Sequence, residues 1–136
     1  MKYILLNILI LSSFSGIAQT INDSVEVRIY NIGKHNIQQI TITTNGNDYT
    51  YSDIIKFKFS DYQKIPYIWS MGNQIEITLE RKRFLRKKEI VTIKQFPIDH
   101  VGDNKYTNGK CVMTIKTKIN QKDWQIKQEV IFETAN

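Results

Sequence analysis

Residues 40–51, ITITTNGNDYTY, decide how this chain folds. On both sides of Asn45-Gly46, inward and outward residues alternate, which is the pattern of strands with one buried and one solvated face. Asn and Gly both accept the left-handed backbone that a two-residue type I′ turn requires. The stretch therefore predicts a β-hairpin, with Ile42 on its first strand and Tyr49 on its second.

The same alternation recurs along the chain in short segments separated by turn residues. Its other apolar rows are Val25-Val27-Ile29, Ile55-Phe57-Phe59, Ile75-Ile77-Leu79, Val91-Ile93, Cys111 to Ile119 and Trp124 to Phe132. One polar and one apolar face per strand indicates antiparallel sheets that are packed on one side. We therefore predict an all-β fold, an antiparallel two-sheet sandwich of the immunoglobulin-like kind with about seven or eight strands. A small β-barrel shows the same alternation and is the alternative.

The N-terminus has the pattern of a secretory signal peptide. Lys2 precedes the apolar run 3–11 (YILLNILIL), and small residues end at Ala18. The run is shorter than the roughly 20 apolar residues that a membrane span needs, and no cysteine near the cleavage point offers a lipid anchor. We predict a signal peptide over 1–18 and one domain over 19–136. The protein is then exported, periplasmic or extracellular, without a lipid anchor or a transmembrane segment after cleavage.

The chain is basic, with 19 Lys and Arg against 13 Asp and Glu. Export argues against nucleic acid as the partner, so an anionic envelope surface or glycan is the class that this charge favours. Much of the excess lies in residues 81–88 (RKRFLRKK), where the basic residues are Arg81, Lys82, Arg83, Arg86, Lys87 and Lys88. This run is a candidate patch for an anionic ligand, and its simpler interpretation is a solvated hairpin tip that protects a sheet edge.

Residues 94–111 (KQFPIDHVGDNKYTNGKC) interrupt the alternation with a cluster of polar and turn-forming residues. The D-x-D-x-D spacing of a calcium loop is missing, and His35, His100 and Cys111 are too few for a convincing zinc site. We predict no metal and no cofactor. The stretch instead predicts a structural loop between the two sheets, in which Asp99 accepts hydrogen bonds from the loop backbone. Its shaping residues are Pro97, Asp99, Gly102, Asp103 and Gly109.

No catalytic motif is recognisable. Ser70 lacks the leading glycine of a G-x-S-x-G elbow, and Cys111, the only cysteine, begins an inward row where it is expected to be buried and inert. We predict that the protein is not an enzyme. The catalytic alternative uses His100 with Asp99 or Asp103 and requires these side chains to converge.

Three aromatic residues lie close together in the irregular segment 61–73, namely Tyr62, Tyr67 and Trp69. They are a candidate platform on which a sugar ring stacks. The alternative interpretation is that they fill the end of the sandwich, with their apolar rings buried and their polar tips hydrogen-bonded.

The second half of the chain resembles a family of small exported β-sandwich proteins of Bacteroidota to which no function is assigned. The resemblance spans residues 60–116 and is carried by Tyr62-x-x-Ile65, Tyr67, the P-I-D-x-V-G motif at 97–102, and Gly109-Lys110. His100 and Asp103 stand where the family tends to have Tyr and Glu. The tripeptide at 23–25 is similar to the site at which these bacteria attach O-glycans, with Ser24 as acceptor.

These observations predict a non-enzymatic β-sandwich of the bacterial envelope that acts as a binding or accessory module. Its partner is an envelope protein or a glycan. The alternative is a structural or adhesive subunit that assembles by strand donation through an exposed sheet edge.

Overall fold

The computed structural model describes residues 23–81, 89–97, 103–120 and 123–134. The predicted signal peptide and most of the basic run therefore lie outside the described residues. The described residues form ten strands and no helix. The strands are β1 (Val25–Asn31), β2 (Ile37–Thr44), β3 (Asn47–Ile54), β4 (Gln63–Ile65), β5 (Ile68–Trp69), β6 (Gln74–Arg81), β7 (Glu89–Gln95), β8 (Lys105–Tyr106), β9 (Lys110–Asn120) and β10 (Asp123–Glu133).

The strands form two four-stranded sheets and one two-stranded sheet. Sheet A has the order β10-β9-β1-β4, sheet B has the order β3-β2-β6-β7, and β5 pairs with β8. Sheets A and B pack their apolar faces together, which confirms the predicted two-sheet sandwich. Each sheet keeps two edge strands, so the alternative of a small closed barrel is wrong.

The core lies between the inward rows of the two sheets. β1 alternates buried and half-buried residues along its whole length, and β6 does so from Ile75 to Leu79. In β9, Cys111, Met113 and Ile115 are fully buried, as predicted. Tyr51 adds a polar link across the core, since its hydroxyl donates to the carbonyl of Val27 at 2.8 Å.

The predicted hairpin is confirmed. Thr44 pairs with Asn47, and between them Asn45 and Gly46 have φ of 51° and 73°. Both turn residues thus have the left-handed backbone of a type I′ turn, whose twist matches that of the flanking strands.

Sheet A departs from the expected pairing because β1 runs parallel to β9, with Val27 opposite Cys111. All other strand pairs are antiparallel among the described strands. Alternation reports which face of a strand is buried and carries no information on the direction of its neighbour.

The prediction of a strand with Ile55, Phe57 and Phe59 facing the core is wrong. These three side chains are exposed, and Phe57 has a φ of 61°, which breaks the extended backbone. The residues form a loop that is tied to the end of β1, since the Phe57 amide donates to the Asn31 carbonyl at 2.7 Å. The segment 61–73, predicted to be irregular, contributes the short strands β4 and β5.

Candidate functional site

Two loops meet at one end of the sandwich and display apolar side chains. The amide of Asn31 donates to the Lys58 carbonyl at 3.2 Å, and the amide of Lys56 donates to Asn36 Oδ1 at 3.0 Å. These bonds join the loop that follows β1 to the 55–59 loop. We call the following exposed residues of the two loops the apolar–basic patch: Ile32, Lys34, Ile55, Lys56, Phe57 and Lys58.

The apolar members of the patch are strongly exposed. Phe57 is 62% exposed and Ile55 is 50% exposed. A bulky residue with left-handed backbone is strained by about 1–3 kcal/mol, and such strain concentrates at functional sites. The loop thus combines two unfavourable features, strain and exposed hydrophobic surface, at one position.

The electrostatics of this end are dominated by cations. The pKa of His35 is lowered first by its partial burial and then by Arg81, Lys34 and Lys56. The lowered pKa keeps His35 neutral near pH 7.

A cavity whose volume falls in the range of small-molecule sites, roughly 300–1,000 Å³, lies beside these cations. Its volume is ≈ 690 Å³, and its lining includes Lys34, His35 and Lys56 together with the carboxylates Asp53 and Glu80. The formal charges of the two lysines and two carboxylates in the lining balance, and the cationic excess at this end comes from Lys58 and Arg81, which are not part of the lining.

Of the candidate anionic-ligand residues, only Arg81 lies within the described residues. It ends β6, opposite Glu89 at the start of β7. Lys82, Arg83, Arg86, Lys87 and Lys88 lie outside them. Sequence reasoning placed the basic character in this run and missed Lys34, Lys56 and Lys58, although the alternation of lysine with apolar residues in IKFKF at 55–59 was a visible signal.

The three residues of the candidate sugar platform separate into two groups. Tyr67 and Trp69 form an edge-to-face pair with ring centroids 6.4 Å apart. The ammonium of Lys105 lies 4.1 Å from the centroid of Tyr67 and 5.6 Å from that of Trp69. One face of the Tyr67 ring is thus already covered by a cation of the same chain.

Tyr62 lies instead in a cluster on the outer face of sheet A. Its hydroxyl donates to Glu133, and this bond raises the pKa of Tyr62. The guanidinium of Arg28 pairs with the same carboxylate, with Nε at 3.1 Å, and lies 4.1 Å over the ring of Phe59. The charges of Arg28 and Glu133 offset each other, so this cluster ties β1 to β10.

The predicted structural loop is organised by Asp103 in the described residues. Its carboxylate accepts bonds from the Ser70 hydroxyl, the Met71 amide at 3.0 Å and the Gly72 amide at 2.9 Å. Desolvation raises the pKa of Asp103, but these hydrogen bonds outweigh it and leave the pKa below its ordinary value. Asp103 therefore fastens its own loop to the one that follows β5.

The other loop residues are placed as follows. Pro97 follows the end of β7, and Gly109 has a φ of 76° just before β9. Asp99, His100 and Gly102 lie outside the described residues, so the hydrogen bonds predicted for Asp99 and the catalytic alternative with His100 stay predictions. Within the described residues, the Asp103 carboxylate is occupied by the Ser70 hydroxyl, which donates a hydrogen bond to it.

Replacing Asp103 with asparagine is expected to lower the free energy of unfolding at pH 7 by about 2 kcal/mol, because hydrogen bonds to a charged acceptor weaken. The folded pKa of Asp103 lies below its ordinary 3.8, so its stabilisation is present above that pH and is lost as the pH falls toward the folded pKa. Urea unfolding at neutral and acidic pH measures the difference in free energy of unfolding between the unmodified protein and Asp103→Asn. Asp123→Asn, at the exposed start of β10, is the control. If this difference does not become smaller on acidification, the ionised carboxylate of Asp103 does not stabilise the loop as described.

Cys111 is buried and its pKa is raised to about 11 by desolvation first and Glu133 second. The thiol is thus protonated near neutral pH, which fits the predicted inert residue. Within the described ranges, no group of three or more His, Cys, Asp or Glu side chains is arranged to hold a metal ion. Nor does any helix in that part of the chain have the length and hydrophobicity of a membrane span.

Comparison with protein-family models, with curated proteins and with solved structures gave no match to this chain. The surfaces of the molecule are therefore the features that bear on its function.

Proposed function

We propose that this protein is an exported, non-enzymatic binding module of the bacterial envelope that attaches to an anionic membrane surface. The apolar–basic patch makes the attachment. The observation that carries the proposal is the 62% exposed Phe57, held in left-handed backbone between two exposed lysines. The predicted signal peptide and the resemblance to exported Bacteroidota proteins support the envelope as the compartment.

The apolar side chains supply one part of the binding energy. Full burial of a phenylalanine or isoleucine side chain contributes about 1.5–3 kcal/mol, and insertion into a membrane interface gains a share of this. Phe57 and Ile55 expose at least half of their surface before binding, so this exposed part can enter lipid without breaking contacts within the protein. The 55–59 loop is fastened to β1 and to Asn36, and this fixed shape limits the entropy lost on binding.

The lysines supply the other part and select the surface. A basic residue close to an anionic bilayer contributes about 1 kcal/mol. Lys34, Lys56 and Lys58 are exposed beside the apolar side chains. A protein partner with an apolar groove has no need of these cations, whereas an anionic lipid surface uses both features.

Cosedimentation with vesicles tests the proposal. We expect the purified protein to bind phosphatidylcholine vesicles that contain phosphatidylglycerol and to ignore vesicles of phosphatidylcholine alone. Phe57→Asn should weaken binding about tenfold, which corresponds to 1.4 kcal/mol. Asparagine tolerates left-handed backbone, so the variant should unfold at the same or a higher temperature. Lys56→Gln with Lys58→Gln should weaken binding and reduce its salt dependence.

Phe96→Asn is the matched control, because Phe96 is 71% exposed but lies beyond the end of β7. It should bind vesicles as the unmodified protein does. Equal binding by Phe57→Asn, or no preference for anionic vesicles, would contradict the proposal. Sedimentation without vesicles is also required, since polymers would favour the strand-donation alternative. The edge strand β10 pairs over eleven residues with β9. On its other side the Val130 amide donates to the Ser70 carbonyl at 2.8 Å, so a donated strand would have to pair with the other residues of β10 or displace this bond.

A further inference from the structure

The outer face of sheet B is polar and forms a groove. Its volume is ≈ 500 Å³, within the range of roughly 300–1,000 Å³ that small-molecule sites occupy. The lining side chains that matter here come from all four strands and the segment after β7. They are Gln39, Thr41, Thr43, Asp48, Thr50, Gln74, Glu76, Lys94 and Phe96.

The polar side chains of the groove are held in place by one another. Thr43 donates to Asp48 at 2.6 Å, and the hydroxyls of Thr41 and Thr50 lie 3.1 Å apart. A hydroxyl has one donor and two acceptor positions, and a carboxylate has about four acceptor positions. Each group therefore keeps capacity for a ligand after its bond within the protein is made.

The charge of the groove argues against an anionic ligand. Lys94 is paired with Glu76 at 2.9 Å, and Asp48 adds a second carboxylate. The formal charge of these three side chains is thus negative. Amides, hydroxyls and carboxylates together offer donors and acceptors in a mixture, which suits a ligand whose hydroxyl groups both donate and accept.

Phe96 gives the groove its single large exposed apolar surface among the lining residues. Its side chain is 71% exposed and lies directly after β7. A pyranose ring has an apolar face of C–H groups and a rim of hydroxyls. An aromatic ring beside a row of hydrogen-bonding side chains matches both parts of such a ring.

We propose that this groove binds a neutral oligosaccharide, with a sugar ring stacked on Phe96 and its hydroxyls bonded by Thr43, Asp48 and Gln74. Four strands at a spacing of roughly 4.8 Å give the face a width of about 14 Å, which accommodates a short chain of sugars. This site is separate from the apolar–basic patch. The groove reaches the Thr43 end of β2, whereas the patch lies beside the Ile37 end. Oligosaccharide binding in the groove is therefore independent of membrane attachment through the patch.

Affinity electrophoresis tests it in gels that contain neutral polysaccharides (laminarin, mannan, xylan or dextran) or anionic ones (alginate or heparin). We expect at least one neutral polysaccharide to retard the protein, and calorimetry with its oligosaccharide to give the Kd. Phe96→Ala should weaken binding more than about tenfold, and Thr43→Val about two- to tenfold, as expected for a lost hydrogen bond.

Two variants serve as controls. Thr92 lies on the same face, bonded to Thr78 at 3.4 Å, but does not line the groove, so Thr92→Val should bind as the unmodified protein does. Phe57→Asn should also bind polysaccharide normally, whatever it does with vesicles. The proposal is overturned if no neutral polysaccharide retards the protein, if only the anionic ones do, or if Phe96→Ala is retarded equally.

Discussion

Replacing Gly109 with alanine is expected to lower the free energy of unfolding by about 2–3 kcal/mol. Gly109 has a φ of 76°, and a Cβ there would lie 2.6 Å from Cζ of Phe132. Left-handed backbone costs an alanine about 1–2 kcal/mol. The ring of Phe132 must also move, and it then loses its stack on Tyr106, whose centroid is 5.8 Å away. Chemical denaturation of the two proteins measures the difference.

Gly46→Ala separates the two causes. Gly46 has nearly the same φ, 73°, but no atom lies within 4 Å of the added Cβ. This variant should therefore show only the backbone cost, about 1–2 kcal/mol. In a protein that already carries Phe132→Ala, adding Gly109→Ala should lower the free energy of unfolding only by the amount measured for Gly46→Ala. Equal destabilisation by Gly109→Ala and Gly46→Ala would show that the Phe132 ring moves away from the added Cβ without loss of stability.

Alternation predicted the long strands because burial on one face is a local property of an extended chain. The rows of β1, β2 and β6 were correct, as was that of β9 from Cys111 to Thr117, and Asn45-Gly46 formed the predicted hairpin turn. The direction of pairing between β1 and β9 was not predictable in this way. It depends on which elements meet in three dimensions, and alternation is the same for either direction.

The 55–59 loop shows where alternation fails. Ile55, Phe57 and Phe59 have the period of a strand, but the amide of Phe57 bonds to Asn31 and the residue turns left-handed. A tertiary hydrogen bond thus overrides a local pattern. The two- and three-residue strands β4, β5 and β8 were missed for a related reason, since such short pieces are defined by their partners alone.

The candidate sites were predictable only in part. The basic character of the chain was visible, but the patch joins residues from two loops that only the fold brings together. Asp103 was named as a loop residue, although its partners at 70–72 lie more than thirty positions earlier. The polar groove draws on four strands, and its residues look individually like the ordinary solvated side of a sheet.

The largest single loss of stability is expected at Asn73, which is buried at the junction of β5, β6 and β10. Its Oδ1 accepts from the Trp69 amide at 2.9 Å, and its Nδ2 donates to the Trp69 carbonyl at 2.7 Å and to Gln128 Oε1 at 3.0 Å. The Gln128 amide donates back to the Asn73 carbonyl at 3.0 Å. Asn73→Ala removes the partner of the Trp69 amide, the Trp69 carbonyl and Gln128 Oε1, so we expect a loss of about 3–4 kcal/mol.

A double-mutant cycle shows whether the loss comes from unpaired groups. Gln128→Met removes one partner with little change of shape and should cost about 1 kcal/mol, because Asn73 keeps its bonds to Trp69. Asn73→Ala alone leaves Gln128 Oε1 buried without its donor. The double variant has no Gln128 side-chain amide to leave unsatisfied, so it should cost about 1 kcal/mol less than the sum of the two single losses. Asn47→Ala, at an exposed position after the hairpin turn, should change stability by less than about 0.5 kcal/mol. Additive losses would mean that Asn73 acts on the loop alone and that Gln128 does not depend on it.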